Sequence, residues 1–309
     1  MIGAIWAALG VLVLFVALPA AAVTTYLFSR KNFPDFDQNP ERLKGSTYEA
    51  WAEEILRDMA WMREQTFEPV HLTAYDGTPL LGEWRNAGSA KTVILSHGYR
   101  TTPLNNFSTI GREFIRRGWN VLMIWQRGQG KSGGRVTAFG LRERYDLLEW
   151  VDWVQKKAGG EIVLYGISMG GAAVGYASDA QMPECVKGMV LDCAYCKPYD
   201  QMLSMAQSGM KASMLLLPLI NAYARWFLKV DMTKDIRDSL RQTRIPALFL
   251  SGMKDDTVRP EAVRAGYEAC ASRKELLLVP GATHTLAFLE GGAELQAKVF
   301  EFLNEGITR

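Results

Sequence analysis

Short runs of apolar residues recur along the middle and the end of the chain, and each is followed by a longer amphipathic segment. The short runs predict buried strands at 92–96, 120–125, 161–166, 187–192, 246–251 and 275–280. The longer segments predict helices at 105–117, 140–157, 170–181, 260–271 and 292–304. Strands that alternate with helices predict an α/β fold with a mostly parallel central sheet and helices on both faces.

Two further elements precede the first of these strands. The segments 70–75 and 80–84 flank Asp76-Gly77, which predicts a β-hairpin. Before the hairpin, apolar residues at helical spacing predict an amphipathic helix from Tyr48 to Gln65. That helix either packs on the neighbouring domain or lies on a membrane surface.

The segment 195–243 breaks the alternation and is rich in Met and Leu. Two interpretations remain open for it. It forms either a helical lid, whose adaptable apolar side chains suit an acyl chain, or ordinary helical core.

The N-terminus carries a long uncharged stretch. No charged residue occurs from Ile2 to Phe28, and a bilayer needs about 20 apolar residues. Arg30-Lys31 follow, so the positive-inside rule places the rest of the chain in the cytoplasm. We therefore expect a single-pass anchor at 1–31, a linker with the amphipathic helix at 32–66, and a globular domain at 67–309. The alternative is a cleaved signal peptide and a secreted protein, since small residues follow Leu18.

Composition narrows the class of protein. The 309 residues carry a net charge of +2 with both signs interspersed, which fits one large domain and does not indicate a nucleic-acid partner. Cys193 and Cys196 have the spacing of a redox or zinc pair, but no second Cys/His pair lies nearby. We therefore expect reduced core and loop thiols, with no metal and no cofactor.

The most specific motif is Gly166-Ile167-Ser168-Met169-Gly170, directly after an apolar run and before a helix-compatible segment. A serine on a sharp strand-to-helix turn, with glycine on both sides, is the nucleophile elbow. The motif predicts Ser168 as a nucleophile.

Such a nucleophile needs a base and a carboxylate, which follow it in the order serine, carboxylate, histidine. Of the three histidines, His284 alone follows Ser168, in a loop after the last predicted strand. Asp255 and Asp256 both follow the strand at 246–251. Their spacing from Gly252 favours Asp255 as the orienting carboxylate and leaves Asp256 as a turn or helix cap.

An oxyanion hole needs two backbone N–H donors. The amide of Met169, after the nucleophile, is one candidate, and the amide of Tyr99, in the turn after the first parallel strand, is the second. His97 has a competing claim as a base, but its place in a His-Gly turn favours a role in holding the loop. His71 is expected in a strand without a catalytic part.

Several of these segments together resemble the bacterial α/β-hydrolases of the serine-aminopeptidase-like and ABHD types, from about Val70 to Phe302. The matching segments are Ser96–Tyr99, Gln126–Ser132, Phe139-Gly140 with Glu143 and Asp146, the serine elbow, Lys254–Val258 and Gly281–His284. The resemblance implies the α/β-hydrolase fold, a triad of Ser168, Asp255 and His284, and Tyr99 and Met169 as oxyanion donors. The chain departs from that family at Trp125, where Asp is usual, and at Gln129, where His is frequent. Gln129–Ser132 is not a phosphate-binding loop, because Trp125 replaces the glycine which that motif requires.

These features predict a membrane-anchored serine hydrolase that acts on carboxylic esters, thioesters or related acyl bonds of a small or lipid-like substrate. A serine peptidase is the first alternative, although an exopeptidase needs an acidic group for the substrate amine. A catalytically silent scaffold is the second, although such proteins have normally lost a member of the triad.

Overall fold

A twisted, mostly parallel sheet forms the centre of the protein. The computed structural model describes residues 13–179, 182–208 and 213–307, together with Trp6 and Gly10. Within these residues the sheet has eight strands in the order β1-β2-β4-β3-β5-β6-β7-β8. The strands are β1 Glu68–Thr73, β2 Pro79–Arg85, β3 Lys91–Ser96, β4 Asn120–Ile124, β5 Glu161–Ile167, β6 Val186–Asp192, β7 Ala247–Gly252 and β8 Lys274–Val279.

The first two strands form an antiparallel hairpin whose second strand pairs antiparallel with β4, and from β4 to β8 neighbouring strands run parallel. Strands β3 to β7 are buried almost throughout, because helices cover both faces of the sheet. The carboxyl ends of these strands therefore meet at one edge, where side chains from distant parts of the chain come together.

The helices lie between and around the strands. They are α1 Leu18–Phe28, α2 Ala52–Glu64, α3 Pro103–Arg116, α4 Glu143–Lys157, α5 Met169–Ala177, α6 Pro198–Ser208, α7 Ser213–Tyr223, α8 Ile236–Leu240, α9 Pro260–Ala269, α10 Ala287–Glu290 and α11 Gly292–Ile307. A π-helical turn, Val13–Ala17, leads into α1, and a second, Ala224–Leu228, extends α7.

The predicted elements agree closely with this structure. Each predicted strand has a counterpart whose bounds differ by about one residue, and the hairpin is present. The helix predicted at 170–181 ends at Ala177, and residues 180–181 lie outside the described part of the chain. Buried apolar runs are reliable strand signals here because only a two-sided core accommodates them.

The predicted amphipathic helix corresponds to α2, which packs against α3. Its apolar stripe, Ile55, Met59 and Met62, is buried there. Of the two interpretations, packing on the neighbouring domain is the correct one, because the stripe is already covered by protein.

The predicted anchor, residues 1–31, lies only partly within the described residues. Across the residues that the structure describes, no helix is both long enough and apolar enough to cross a bilayer. Most of the segment 2–12 lies outside the described residues. The described remainder includes α1, an 11-residue helix that buries Ala20, Thr24 and Phe28. This side of α1 therefore packs on protein.

The segment predicted as a lid, 195–243, is helical where it is described. It contains α6, α7, the π-helical turn Ala224–Leu228 and the short α8, and residues 209–212 lie outside the described part. Helix α7 packs against both α6 and α1. The lid segment is therefore in contact with the N-terminal helix.

Candidate active site

Ser168 lies on a strained turn between β5 and α5. Its backbone angles are φ 54° and ψ −113°, outside the regions that most L-residues adopt. A Cβ atom at Gly166 would lie 2.3 Å from the carbonyl oxygen of Gly170, and one at Gly170 would lie 1.8 Å from that of Ser96. Glycine is therefore required on both sides of the serine, as the elbow motif predicts.

Ser168, His284 and Asp255 form a continuous line of hydrogen bonds. His284 Nε2 lies 3.1 Å from Ser168 Oγ, and His284 Nδ1 lies 2.7 Å from Asp255 Oδ2. A carboxylate at Nδ1 favours the tautomer that carries its proton there, which leaves Nε2 as an acceptor for the serine hydroxyl. The arrangement can remove a proton from Ser168 and hold the resulting imidazolium beside a negative charge.

Asp255 is itself held by the backbone. It is buried, and its Oδ1 accepts hydrogen bonds from the amides of Thr257 at 2.9 Å and Val258 at 2.8 Å. Asp256 is exposed and accepts a hydrogen bond from the Thr257 hydroxyl at 3.4 Å. The structure thus brings Asp255, and not Asp256, to the imidazole.

The turn after β3 lies directly beside Ser168. A Cβ atom at Gly98 would lie 3.6 Å from the Cβ of Ser168, so the turn that carries Tyr99 passes close to the serine. Met169 is the first residue of α5, where backbone N–H groups have no partner within the helix. The two candidate oxyanion donors therefore belong to segments next to the serine, one in a turn and one at a helix N-terminus.

His97 and His71 are placed differently from His284. His97 is fully buried, and its ring lies 2.8 Å from the carbonyl oxygen of Gly98 through Nδ1 and accepts the Gln126 amide at 3.1 Å through Nε2. Burial lowers the pKa of His97 to about 4, so the ring is neutral near pH 7. It links two loops, whereas His71 is exposed on the outermost strand β1.

Gln129, one of the two departures from the family pattern, contacts the residue after Tyr99 and the side chain of Met169. Its Oε1 accepts the Arg100 amide at 2.6 Å, and its Nε2 lies 3.9 Å from Met169 Sδ. Trp125, the other departure, is buried, and its indole N–H donates to Glu83 at 3.3 Å. The loop beside the site thus packs against Arg100, which follows Tyr99, and against the side chain of Met169.

The end of β6 adds Asp192, a residue that none of the sequence motifs marks as part of the site. Asp192 is fully buried, accepts the Tyr165 hydroxyl at 3.0 Å, and accepts the Ser168 amide at 2.8 Å through its backbone carbonyl. Burial raises the pKa of Asp192 to about 7. A carboxylate that ends an apolar strand next to the elbow strand was the available signal.

Cys193 follows Asp192 and also lies beside the site. Its sulfur and the ligand atoms of Asp255 and His284 all lie within 4.8 Å of one another. Since the imidazole and the carboxylate already bond to each other, this group is better described as a thiol packed against the pair than as a metal centre. All four cysteines are free, in agreement with the prediction of reduced thiols.

The N-terminal helix contacts the turn that carries Tyr99. The Tyr99 hydroxyl donates to the carbonyl oxygen of Leu27 at 2.6 Å, and the Arg100 guanidinium donates to that of Tyr26. The guanidinium also lies over the rings of Tyr26 and Tyr99, 4.4 Å and 4.8 Å from their centroids. No sequence pattern predicts these contacts, because they join segments about 70 residues apart.

Comparison with known structures identifies the fold. The Pyrococcus furiosus esterase Pf2001 superposes with a TM-score of 0.65 at 24% identity, over 81% of this chain and 94% of that one. The chain has the α/β-hydrolase fold. The ferulic acid-bound Est1E of Butyrivibrio proteoclasticus aligns with a TM-score of 0.60 at 17% identity, over 78% of this chain and all of that one.

Sequence comparisons support the same placement. Residues 88–227, which include Ser168 but neither Asp255 nor His284, match the family model described as serine aminopeptidase, S33. The chain is 26% identical to the Bacillus subtilis protein YqkD over 69% of its own length and 71% of that protein. It is 26% identical to the Arabidopsis thaliana α/β-hydrolase domain-containing protein WAV2 and 28% identical to the Schizosaccharomyces pombe protein bem46, covering 60% and 56% of this chain. It spans 61% of the plant protein and 54% of the yeast protein.

Proposed function

We propose that this protein is a serine hydrolase that cleaves carboxylic esters, thioesters or related acyl bonds through an acyl-enzyme intermediate on Ser168. The observation that carries the proposal is the hydrogen-bonded line from Ser168 through His284 to Asp255. A serine hydroxyl is a weak nucleophile at neutral pH unless an adjacent base accepts its proton, and His284 Nε2 lies 3.1 Å from Ser168 Oγ.

In the proposed acylation step, Ser168 Oγ attacks the substrate carbonyl carbon while its proton passes to His284 Nε2. The negative oxygen of the tetrahedral intermediate accepts hydrogen bonds from the backbone N–H groups of Met169 and Tyr99. The intermediate then collapses, the bond to the leaving alcohol or thiol breaks, and His284 returns the proton to that leaving group. Asp255 stabilises the imidazolium throughout.

The deacylation step repeats the same chemistry with water. His284 removes a proton from a water molecule as its oxygen attacks the acyl carbon. Collapse of the second intermediate releases the carboxylic acid and returns the proton to Ser168. Each step is balanced by proton transfer alone, so the proposed reaction needs no cofactor.

Labelling with a fluorophosphonate probe tests the proposal. Wild-type protein should be labelled and should hydrolyse p-nitrophenyl esters, and Ser168→Ala should do neither while keeping the wild-type circular dichroism spectrum. Folded wild-type protein that is neither labelled nor active would support the silent scaffold instead.

A second experiment compares substrates that differ in bond type and in acyl length. The esterases among the similar structures favour esters, whereas the description of the matching family model favours a peptidase. Faster turnover of a peptide-amide panel than of an ester panel would support the peptidase. The apolar lid segment favours longer acyl chains, so p-nitrophenyl octanoate should be preferred to the acetate.

We also propose that the uncharged N-terminal segment associates with the cell membrane and keeps the catalytic domain on the cytoplasmic side.

A further inference from the structure

Exposed apolar side chains concentrate on two neighbouring elements, α1 with its preceding turn and α7 with its following turn. These two helices pack against each other. We call the following set the apolar face: Leu14, Leu18, Tyr26, Leu215, Leu219, Trp226 and Phe227. Single exposed apolar residues are normal on a protein surface, but a set of this size on adjoining helices marks an interaction site.

Helix α1 has an apolar outer side as well as an apolar inner side. Ala20, Thr24 and Phe28, four residues apart, are buried against the protein. Leu18 and Tyr26 point to solvent and are 54% and 58% exposed. An amphipathic surface helix presents polar residues on its outer side, so the outer side of α1 is not suited to water.

Helix α7, with the turn that follows it, also has apolar residues on both its buried and its exposed side. Leu217, Ile220 and Ala224 are buried. Leu215 and Trp226 are 84% and 75% exposed. A helix that is apolar all round is normally buried in protein or in lipid, and protein covers only one side of this one.

The charges around the apolar face are mainly basic, and the acidic Asp231 lies 3.6 Å from Arg225. No Asp or Glu occurs in residues 1–34 or 201–230, whereas Arg30, Lys31, Arg225 and Lys229 border the two helices. Trp226 follows Arg225 in the sequence, and Lys31 Nζ lies 5.2 Å from the centroid of the Tyr26 ring. Aromatic residues at the headgroup level, with Lys and Arg beside them, are typical of contact with the surface of an anionic bilayer.

We propose that the apolar face rests on an anionic lipid bilayer, so that α1 and the lid segment lie in the membrane surface together. The uncharged sequence that precedes α1 continues directly into this face, and the basic border complements anionic headgroups. A second copy of the chain is less suited to cover the face, because two such surfaces would bring like charges together.

The position of the face also bears on substrate access, a consequence that rests on the proposed function. A cavity of about 430 Å³ lies between α1 and the turn after α7, lined in part by Phe28, Tyr223 and Leu228. The ring of Phe28 packs on Phe139, and Phe139 packs on Tyr99, each pair with centroids 5.0 Å apart. Phe28, Phe139 and Tyr99 thus connect the cavity to the turn beside Ser168 through consecutive ring contacts. Under the proposed function, a lipid-borne acyl chain would approach the site from this side.

Site-specific labelling of the full-length protein tests the bilayer contact without reference to catalysis. In a Cys185→Ser background, which leaves three buried cysteines, Leu215→Cys and Trp226→Cys are labelled with the fluorophore NBD. Tyr75→Cys is the matched control, since Tyr75 is 54% exposed and lies in the hairpin turn. With vesicles of phosphatidylcholine and phosphatidylglycerol, NBD at 215 and 226 should shift to the blue and should be quenched several-fold more strongly than NBD at 75 by lipids spin-labelled near the headgroup.

Two other results would overturn the proposal. Equal and weak quenching at all three sites would mean that the apolar face stays in water. A blue shift at 215 and 226 without quenching by spin-labelled lipid would mean that a second copy covers the face.

A kinetic measurement tests the proposed bilayer contact independently. Trp226→Ser with Phe227→Ser should raise the apparent KM for a long-chain ester embedded in vesicles about tenfold and leave turnover of p-nitrophenyl acetate unchanged. Equal effects on both substrates would contradict the membrane role. A wild-type protein inactive on both would count against the proposed hydrolase, while the quenching experiment would still decide the bilayer contact.

Discussion

The Tyr99 hydroxyl donates a 2.6 Å hydrogen bond to the carbonyl oxygen of Leu27. This bond ties the turn that carries a candidate oxyanion donor to the last turn of the N-terminal helix. The segment that precedes the globular domain in the sequence is therefore in direct contact with the proposed catalytic machinery. We infer that the Tyr99 side chain positions the turn whose backbone is a candidate donor.

Removing that hydroxyl should loosen the turn without removing the backbone donor. We expect Tyr99→Phe to lower kcat for p-nitrophenyl esters roughly fivefold to tenfold with little change in KM, because one hydrogen bond contributes about 1 kcal/mol and oxyanion stabilisation acts in the transition state. Affinity for a boronic acid that mimics the tetrahedral intermediate should fall in parallel.

The matched control is Tyr176→Phe, which removes another tyrosine hydroxyl bonded to a backbone carbonyl, that of Lys234 at 2.7 Å. It should cost similar stability and leave kcat unchanged. Equal kcat for Tyr99→Phe and wild type would show that the bond does not position the turn.

The two adjacent aspartates should differ sharply in effect. Asp255→Asn should lower kcat/KM by about 10³-fold or more, because an amide at this position favours the wrong imidazole tautomer and does not stabilise the imidazolium. Asp256→Asn, a matched change in an exposed side chain, should stay within about twofold of wild type. Steady-state ester hydrolysis measures both, and comparable losses in the two variants would contradict the assignment of Asp255.

The elbow should not tolerate a methyl group at Gly170. A Cβ there would lie 1.8 Å from the carbonyl oxygen of Ser96, so Gly170→Ala must displace β3 or the elbow. We expect a loss of about 3 kcal/mol or more in the free energy of unfolding, measured by urea denaturation. Gly266→Ala is the control, since its nearest neighbour would be 3.4 Å away within a helix, and it should be neutral or stabilising.

Asp192 should make stability depend on pH. Burial raises its pKa from 3.8 to about 7, so the folded protein binds the proton more tightly than the unfolded chain does. This contribution is fully present below about pH 4 and is lost as pH rises through 7. Relative to Asp192→Asn, which cannot ionise, wild type should lose about 2 kcal/mol of unfolding free energy between pH 5 and pH 8.

Urea denaturation at the two pH values isolates the effect, since other titrating groups are common to both proteins. A difference between wild type and Asp192→Asn that stays constant with pH would show that Asp192 does not titrate with a raised pKa.

The sequence by itself determined the parallel sheet, the order of its strands and helices along the chain, and the serine elbow. Buried strands require runs of apolar residues, and backbone crowding at positions 166 and 170 requires glycine. Both requirements are local, so the residue types reveal them directly. The assignment of His284 as the base could also be predicted from the sequence, because it is the one histidine after Ser168.

Only the tertiary structure decided which distant groups meet. Spacing from Gly252 favoured Asp255 over Asp256, but only the structure shows Asp255 at His284 and held there by the amides of Thr257 and Val258. The contacts of Asp192 beside the elbow, of Gln129 with Arg100 and Met169, and of Tyr99 with Leu27 depend on strand order and loop packing, which residue spacing does not encode. The N-terminal stretch is the clearest case: its hydropathy predicted a spanning helix, but hydropathy does not record which side of a helix protein covers, and Ala20, Thr24 and Phe28 pack on the domain while Leu18 and Tyr26 remain exposed.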